Sequence, residues 1–208
     1  MFKTPSTLNR LFVYLIAVSA LAGLAIQFYL TVRTLNNFIF YISFFTILTN
    51  LLVAVAFTTR FAAPHTKMSN YFFKPSTLAA ITLYIVVVGL VYNVVLRWLW
   101  QPRGLQLLAD NLLHVVTPVL CLLYWLLFYL KSRLRWQGVF SWLWYPGIYL
   151  VYALVRGALT NQYPYPFINA AEIGYPKTFI NAGVMLAVFV GLGMLLVAIT
   201  RARQNKCR

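Results

Sequence analysis

The hydrophobic residues of this chain fall into six long runs separated by short polar stretches. A helix that crosses a bilayer needs about 20 consecutive, mostly apolar residues, and each run reaches that length. The runs are Leu8–Thr31, Phe38–Thr59, Ser76–Trp98, Leu107–Leu130, Val139–Thr160 and Thr178–Thr200. Because the connections are too short for a soluble domain, the pattern predicts an all-α, polytopic membrane protein. Residues 1–208 would form a single six-transmembrane-helix bundle.

Composition supports a lipid environment for this chain. Hydrophobic residues make up 62% of it and charged residues only 9%, whereas a soluble domain carries roughly 25% charged residues. The net charge of +15 does not indicate nucleic-acid binding, because the basic residues lie in short clusters beside the apolar runs. We therefore expect membrane lipid, and no nucleic acid, as the partner.

The distribution of lysine and arginine predicts the orientation in the membrane. If the chain crosses six times, 12 of the 17 basic residues lie on one side and five on the other. The twelve are Lys3, Arg10, Arg60, Lys67, Lys74, Lys131, Arg133, Arg135, Arg201, Arg203, Lys206 and Arg208. Since cytoplasmic loops are enriched in these residues, both termini are expected in the cytoplasm.

Two further patterns concern packing and cofactors. Gly183, Ala187 and Gly191 are spaced by four on the last run, which predicts close approach of a neighbouring helix. Cys121 lies inside an apolar run and Cys207 in the basic tail, and no residues show metal-ligand spacing. We therefore expect no metal ion and no other cofactor.

Polar side chains recur inside the runs at helical spacing. Such groups are costly in a membrane, so they usually face the protein interior and often mark function. Residues four apart share one face of a helix. The sets are Thr46 with Asn50, Asn93 with Arg97, Asp110 and His114 beside Asn111, and Tyr145, Tyr149 and Tyr152 with Arg156.

The predicted orientation brings these polar groups to one level. At about 1.5 Å per residue, Thr46 and His114 lie roughly 10 Å below the outer ends of their runs. Asn93 and Arg156 lie in the outer parts of theirs. The fifth loop, residues 161–177, lies over the same side, and its Tyr163–Phe167 segment holds two prolines that restrain the backbone. The sequence predicts a shared cavity with this loop as its lid or rim.

Each polar residue also has a purely structural interpretation. A threonine in a membrane helix usually bonds its own backbone, and an asparagine such as Asn50 usually joins helices. Asp110 and Arg97 would neutralise each other at the interface, and the tyrosine stripe would form a seam between helices. A structural role for His114 is as common as a chemical one.

Three segments resemble motifs of a known family. They are Phe44–Leu51 on the second run, Asn111–Pro118 on the fourth, and Gly157–Phe167 at the fifth loop. The chain resembles the androgen-induced-protein-like family of integral membrane threonine hydrolases, and in particular its bacterial branch. The resemblance implies a bacterial plasma membrane protein that cleaves fatty acid esters of hydroxy fatty acids, with Thr46 as nucleophile and His114 as base. The sequence departs from the animal motif at Thr49 and Asn50, near the position where that motif has an acidic residue.

The first hypothesis is therefore a hydrolase of lipid esters. A threonine hydroxyl becomes a useful nucleophile when a base such as histidine takes its proton. Asp110 would orient the histidine, and Asn50, Asn93, Asn111 and Arg156 are candidates for stabilising an oxyanion or holding the substrate. The alternatives are a transporter or lipid-binding protein that uses the same cavity without catalysis, and a structural partner protein.

Overall fold

The structure is a computed structural model that describes residues 6–33, 38–99 and 101–205. In this part of the chain six helices are long and apolar enough to cross a membrane, which confirms the predicted all-α architecture. We call them the first to sixth spans. They are Thr7–Arg33, Phe45–Ala62, Pro75–Leu96, Leu105–Phe128, Gly138–Thr160 and Ala170–Arg203. Lys3, Lys206, Cys207 and Arg208 lie outside the described residues.

The third span is the centre of the bundle. It is apolar on all sides, and 67% of its most apolar 18-residue window is buried. A helix with this pattern needs apolar neighbours all round, and the second, fourth and sixth spans pack against it. The hydroxyl of Tyr84 donates to the backbone carbonyl of Trp142 at 2.6 Å, and the Trp142 indole donates to Ser76 Oγ at 3.1 Å. These bonds attach the start of the fifth span to the third.

The fifth and sixth spans lie at the periphery of the bundle. Only 17% of the most apolar window of each is buried. Their outward faces are apolar, with Leu159 81% exposed and Ile180 66% exposed. Faces of this kind are suited to hydrocarbon and not to water.

The second span begins at Phe45, later than the sequence predicted. Phe38–Tyr41 forms a separate helical turn, and the helix starts again only after a bend. The Ser43 hydroxyl donates to a backbone carbonyl three residues earlier, and the Tyr149 hydroxyl donates to the Ser43 carbonyl at 3.0 Å. Side-chain bonds of this kind compete with helical ones. The bend places Thr46 in the first turn of a helix instead of one third of the way along it.

The third and fourth spans each contain a widened, π-helical turn. These turns are Tyr92–Leu96 and Leu112–Val116, and they include Asn93 and His114. A π-turn shifts the helical register by one residue and is frequently found at functional sites. Both turns lie next to the cavity described below.

The sixth span is irregular at its start. The helical turn that begins at Ala170 is interrupted at Gly174, which has a φ of 76°, and the continuous helix follows Pro176. Glycine adopts this left-handed φ without the strain that a Cβ would bring. The predicted start at Thr178 therefore falls close to the start of the continuous helix.

The small residues of the sixth span do not make the predicted helix contact. A Cβ added at Gly183 or Gly191 would meet no atom of the described residues within 4 Å, and Ala187 is exposed. The close approach is instead at Gly193, where an added Cβ would lie 2.8 Å from Val139. Small-residue spacing identifies a flat helix face, but it does not show whether a neighbour covers that face.

Candidate functional site

A cavity of about 450 Å³ lies between the first four spans and the loop formed by residues 161–169. Its lining is mostly apolar but includes Gln27, Gln106 and Asp110, and we call it the polar cavity. Thr46 of the second span and His114 of the fourth both line it, as does Asp110. The threonine and the histidine singled out in the sequence therefore line one cavity. Among the described residues no hydrogen bond joins Thr46 to His114 directly.

Thr46 is held by the loop. Its hydroxyl forms a 3.3 Å hydrogen bond with Tyr165 Oη, and its backbone N–H donates to the same oxygen at 3.2 Å. First-turn N–H groups have no partner within their own helix, and Phe44 provides no side-chain cap. The Tyr165 hydroxyl therefore serves as a cap, and Thr46 lies at the positive end of the helix dipole.

His114 is fixed by its own helix and by an aromatic ring. Its Nδ1 lies 3.0 Å from the backbone oxygen of Asp110. A carbonyl can only accept, so in this hydrogen bond Nδ1 carries the proton, and the neutral ring has its lone pair at Nε2. The Tyr92 ring stacks on the imidazole, with centroids 3.8 Å apart and an interplanar angle of 14°. The histidine is thereby presented with the nitrogen that a general base requires.

The Asp110 carboxylate does not contact the imidazole, which corrects the predicted direct orienting role. Its Oδ2 accepts from the Tyr92 hydroxyl at 2.9 Å, and its Oδ1 accepts from Gln106 Nε2 at 3.1 Å. Gln106 Nε2 also donates to Gln27 Oε1 of the first span at 2.6 Å. The carboxylate thus acts on His114 through Tyr92, whose ring it holds in the stack.

Arg97 is not the partner of Asp110 either. Its Nη1 donates to Asn93 Oδ1 at 2.8 Å, and no ion pair joins Arg97 to Asp110 within the described ranges. The structural interpretation in which Asp110 and Arg97 neutralise each other does not hold, because each side chain has other polar partners.

Asn93 supports the backbone of His114. Pro118 has no N–H to offer to the carbonyl of His114 one turn earlier, and Asn93 Nδ2 donates to that carbonyl at 3.1 Å. Asn93 Nδ2 also donates to the Gly89 carbonyl at 2.8 Å. A Cβ at Gly89 would lie 3.0 Å from both the His114 oxygen and Pro118 Cβ, so glycine allows the two helices to approach. Asn93 therefore positions the histidine and does not line the cavity.

Asn50 joins the two helices that carry the threonine and the histidine. Its Nδ2 donates to the backbone oxygen of Thr46 at 2.9 Å and to that of Leu113 at 3.3 Å. The side chain is fully buried, and its Oδ1 has no hydrogen-bond partner among the described residues. Asn50 fixes the spacing of the second and fourth spans, as the structural interpretation expected, and does not line the cavity.

Two other candidate residues lie outside the cavity lining. Arg156 is buried, and its guanidinium lies over the Phe40 ring. Its Nη1 donates to the Gln162 carbonyl at 2.6 Å, and its Nη2 donates to Gln162 Oε1 at 3.2 Å. It anchors the start of the loop. Asn111 is partly buried and faces neither cavity of the site. The tyrosine stripe is partly a seam, because the Tyr145 hydroxyl bonds to a threonine of the second span.

The loop covers the cavity as predicted. Pro164, Tyr165 and Pro166 all line it. The Tyr163 ring packs on Gly157, where an added Cβ would lie only 2.2 Å from the ring. Burial raises the pKa of Tyr165 while its hydrogen bonds to the second span lower it, and the net upward shift keeps the phenol protonated. Tyr165 is thus available as a neutral hydroxyl beside the threonine.

Sequence reasoning missed six polar residues of the cavity lining: Gln27, Thr31, Tyr41, Tyr92, Gln106 and Tyr165. A signal was present for one of them, because Gln106, Asp110 and His114 are spaced by four and share a helix face. Tyr165 was seen only as part of a stiff loop. Gln27 and Tyr92 required the packing of different spans to be known.

Compared with known proteins, the chain matches no protein-family model, no curated protein and no solved structure.

Proposed function

We propose that this protein is a membrane-embedded hydrolase of lipid esters, with Thr46 as the nucleophile and His114 as the general base. The observation that carries the proposal is that both side chains line one cavity, with His114 Nδ1 engaged by a carbonyl. The motif resemblance to threonine hydrolases of fatty acid esters supports the same pair. A fatty-acyl ester of a hydroxylated lipid is the substrate class.

The reaction would begin with attack on the ester carbonyl carbon by Thr46 Oγ1. The proton of the hydroxyl passes to His114 Nε2, and the carbonyl electrons move onto the oxygen. The first turn of the second span stabilises that oxyanion through its N–H groups and helix dipole. The transfer requires Oγ1 and Nε2 to come within about 3 Å, or to share a bridging water, once substrate displaces the Tyr165 hydroxyl.

The second half of the reaction regenerates the enzyme. The tetrahedral intermediate collapses, the alcohol leaves with the proton held by His114, and the acyl group remains esterified to Thr46. Water then attacks the acyl-threonine, giving one proton to His114 and releasing the fatty acid. His114 then returns this proton to Thr46 Oγ1, so the ester and one water molecule are the only reactants consumed.

Covalent labelling tests this assignment. The purified protein, in nanodiscs, is treated with a long-chain alkyl fluorophosphonate, and the adduct is located by mass spectrometry. We expect an adduct on Thr46 that is absent in Thr46→Ala and His114→Ala.

The matched control for labelling is Thr49→Ala. Thr49 lies one turn along the same helix, bonds to Tyr145 and lines neither cavity of the site, so the variant should label normally. Size-exclusion profiles and detergent-unfolding curves establish that each variant is folded. Undiminished labelling of Thr46→Ala, or an adduct on another residue, would refute the assignment and favour lipid binding without catalysis.

We further propose that the protein lies in a bacterial plasma membrane with both termini cytoplasmic, on the strength of the basic-residue distribution. Gln101 and His65 are exposed in loops on the two opposite sides of the bundle. In a background without native cysteines, a membrane-impermeant maleimide should label Gln101→Cys in intact cells and His65→Cys only after permeabilisation. The reverse result would invert the orientation.

A further inference from the structure

A second cavity, of about 330 Å³, is also lined by Thr46 and adjoins the polar one. It is enclosed by the third, fifth and sixth spans, with the loop at one end. Apart from Thr46 and three tyrosines, its lining within the described ranges is apolar, and none of it is charged. Val87, Leu150, Met185 and Phe189 are representative.

The two cavities meet at four residues. Thr46, Tyr92, Leu96 and Tyr165 line both of them. The hydroxyl of Thr46 is therefore at the boundary between an apolar compartment and a compartment with Gln27, Gln106 and Asp110. A molecule that occupied both compartments would lie against these shared residues, Thr46 among them.

The apolar cavity also reaches the outer surface of the bundle. Gly147 of the fifth span and Gly183 of the sixth line it, and both are exposed. Leu186, beside them, is 51% exposed. Because these outward faces adjoin hydrocarbon, the gap between the fifth and sixth spans opens towards lipid and not towards water.

We propose that the apolar cavity binds a single hydrocarbon chain, that of the acyl group, which enters sideways from the bilayer between the fifth and sixth spans. The chain would place its ester carbonyl at Thr46 and leave the alcohol portion of the lipid in the polar cavity. An apolar, uncharged space at membrane depth suits an alkyl chain and excludes a polar solute, because no group in it replaces lost hydration. This assignment rests on the proposed function, since it takes the reacting carbonyl to lie beside Thr46.

Filling the cavity tests the assignment. Leucine is introduced at Gly183 or Gly147, where an added Cβ meets nothing within 4 Å. Gly191→Leu is the matched control, because Gly191 has the same open surroundings on the same helix but lines neither cavity. Labelling rates are measured with two fluorophosphonates, one carrying a hexadecyl chain and one an ethyl group.

We expect Gly183→Leu and Gly147→Leu to slow labelling by the hexadecyl probe roughly tenfold, since a chain that cannot enter leaves the reacting centre misplaced. Labelling by the ethyl probe should stay within about twofold of the unaltered protein, and Gly191→Leu should resemble the unaltered protein with both probes. An equal loss with both probes, or no loss with either, would overturn the chain-binding assignment while leaving the Thr46 assignment standing.

A second readout does not depend on hydrolysis. A palmitic acid that carries a diazirine on its alkyl chain is photolysed with the protein, and the cross-linked peptides are identified. We expect cross-links to the fifth and sixth spans that persist in Thr46→Ala, weaken in Gly183→Leu and are retained in Gly191→Leu. Cross-links that are equally strong in Gly183→Leu and Gly191→Leu would refute the cavity as the binding site. If the fluorophosphonates fail to label Thr46, the proposed reaction is refuted, and the cross-links alone decide whether the cavity binds a chain.

Discussion

Replacing Asn93 by leucine removes the side chain that holds the backbone of His114. Asn93 Nδ2 donates to the carbonyls of His114 and Gly89, and its Oδ1 accepts from Arg97. A hydrogen bond between membrane helices contributes about 0.6 kcal/mol on average and up to about 1.7 kcal/mol. The Arg97 bond is solvent-exposed and contributes little. We therefore expect Asn93→Leu to lower the free energy of unfolding by about 1–2 kcal/mol.

The stronger test is the coupling between Asn93 and Pro118. In Pro118→Ala the new backbone N–H can bond to the His114 carbonyl, and the Cβ that approaches Gly89 is kept. The carbonyl then no longer depends on Asn93, so Asn93→Leu should cost about 1 kcal/mol less in that background than in the unaltered protein. The four proteins of this double-mutant cycle are unfolded with sodium dodecyl sulfate in mixed micelles, with loss of helix followed by circular dichroism.

The variant Arg97→Ala is the control, because it removes the third contact of Asn93 and leaves the two carbonyl bonds in place. It should change the unfolding free energy by less than about 0.5 kcal/mol. If the changes in unfolding free energy caused by Asn93→Leu and Pro118→Ala are additive to within about 0.3–0.5 kcal/mol, the two residues are not coupled. That result would refute the conclusion that Asn93 holds His114 through its carbonyl.

Two other changes probe the loop. Tyr165→Phe removes the hydroxyl that bonds to the N–H and Oγ1 of Thr46, so we expect stability to fall by about 1 kcal/mol and the rate of fluorophosphonate labelling to change severalfold. An unchanged rate and stability would show that the tyrosine hydroxyl neither caps the helix nor positions the nucleophile. Gly157→Ala forces a Cβ to within 2.2 Å of the Tyr163 ring. We therefore expect the free energy of unfolding to fall by about 1–3 kcal/mol and limited proteolysis of the loop to become faster. The control Gly191→Ala should change neither quantity, because an added Cβ there meets nothing within 4 Å. Equal proteolysis of the two variants would argue against this packing.

The sequence predicted the six spans because the bilayer imposes a length and a composition on every crossing helix. It misplaced the start of the second span because Phe38–Tyr41 is as apolar as the helix that follows. Hydropathy measures composition, while the bend at Ser43 is made by hydrogen bonds to Tyr149 and to its own backbone. The boundary was therefore not readable from the pattern of apolar residues.

The same distinction separates the predicted and the unpredicted parts of the site. Thr46 and His114 stood out as two of several polar residues inside apolar runs, and only the motif resemblance singled out this pair. The side chains that contact them, Tyr92 and Tyr165, were not identified. Tyrosine is amphipathic and occurs throughout this chain, so neither residue is conspicuous in the sequence. The spacing of Asp110 and His114 predicted a shared face correctly, but only the structure shows that a carbonyl and an aromatic ring hold the imidazole.

The bend before Phe45 bears directly on the chemistry. In a continuous helix the N–H of Thr46 would be bonded to a carbonyl one turn earlier and could not act on a ligand. At the start of a helix that N–H is free of such a bond, and Tyr165 Oη accepts from it while also contacting Oγ1. A substrate carbonyl oxygen that displaces Tyr165 would take over the bond from the N–H, and the carbonyl carbon would then lie next to the threonine hydroxyl. Movement of one loop side chain would thus free the proposed nucleophile and a hydrogen-bond donor for the proposed oxyanion together, where the polar and apolar cavities meet.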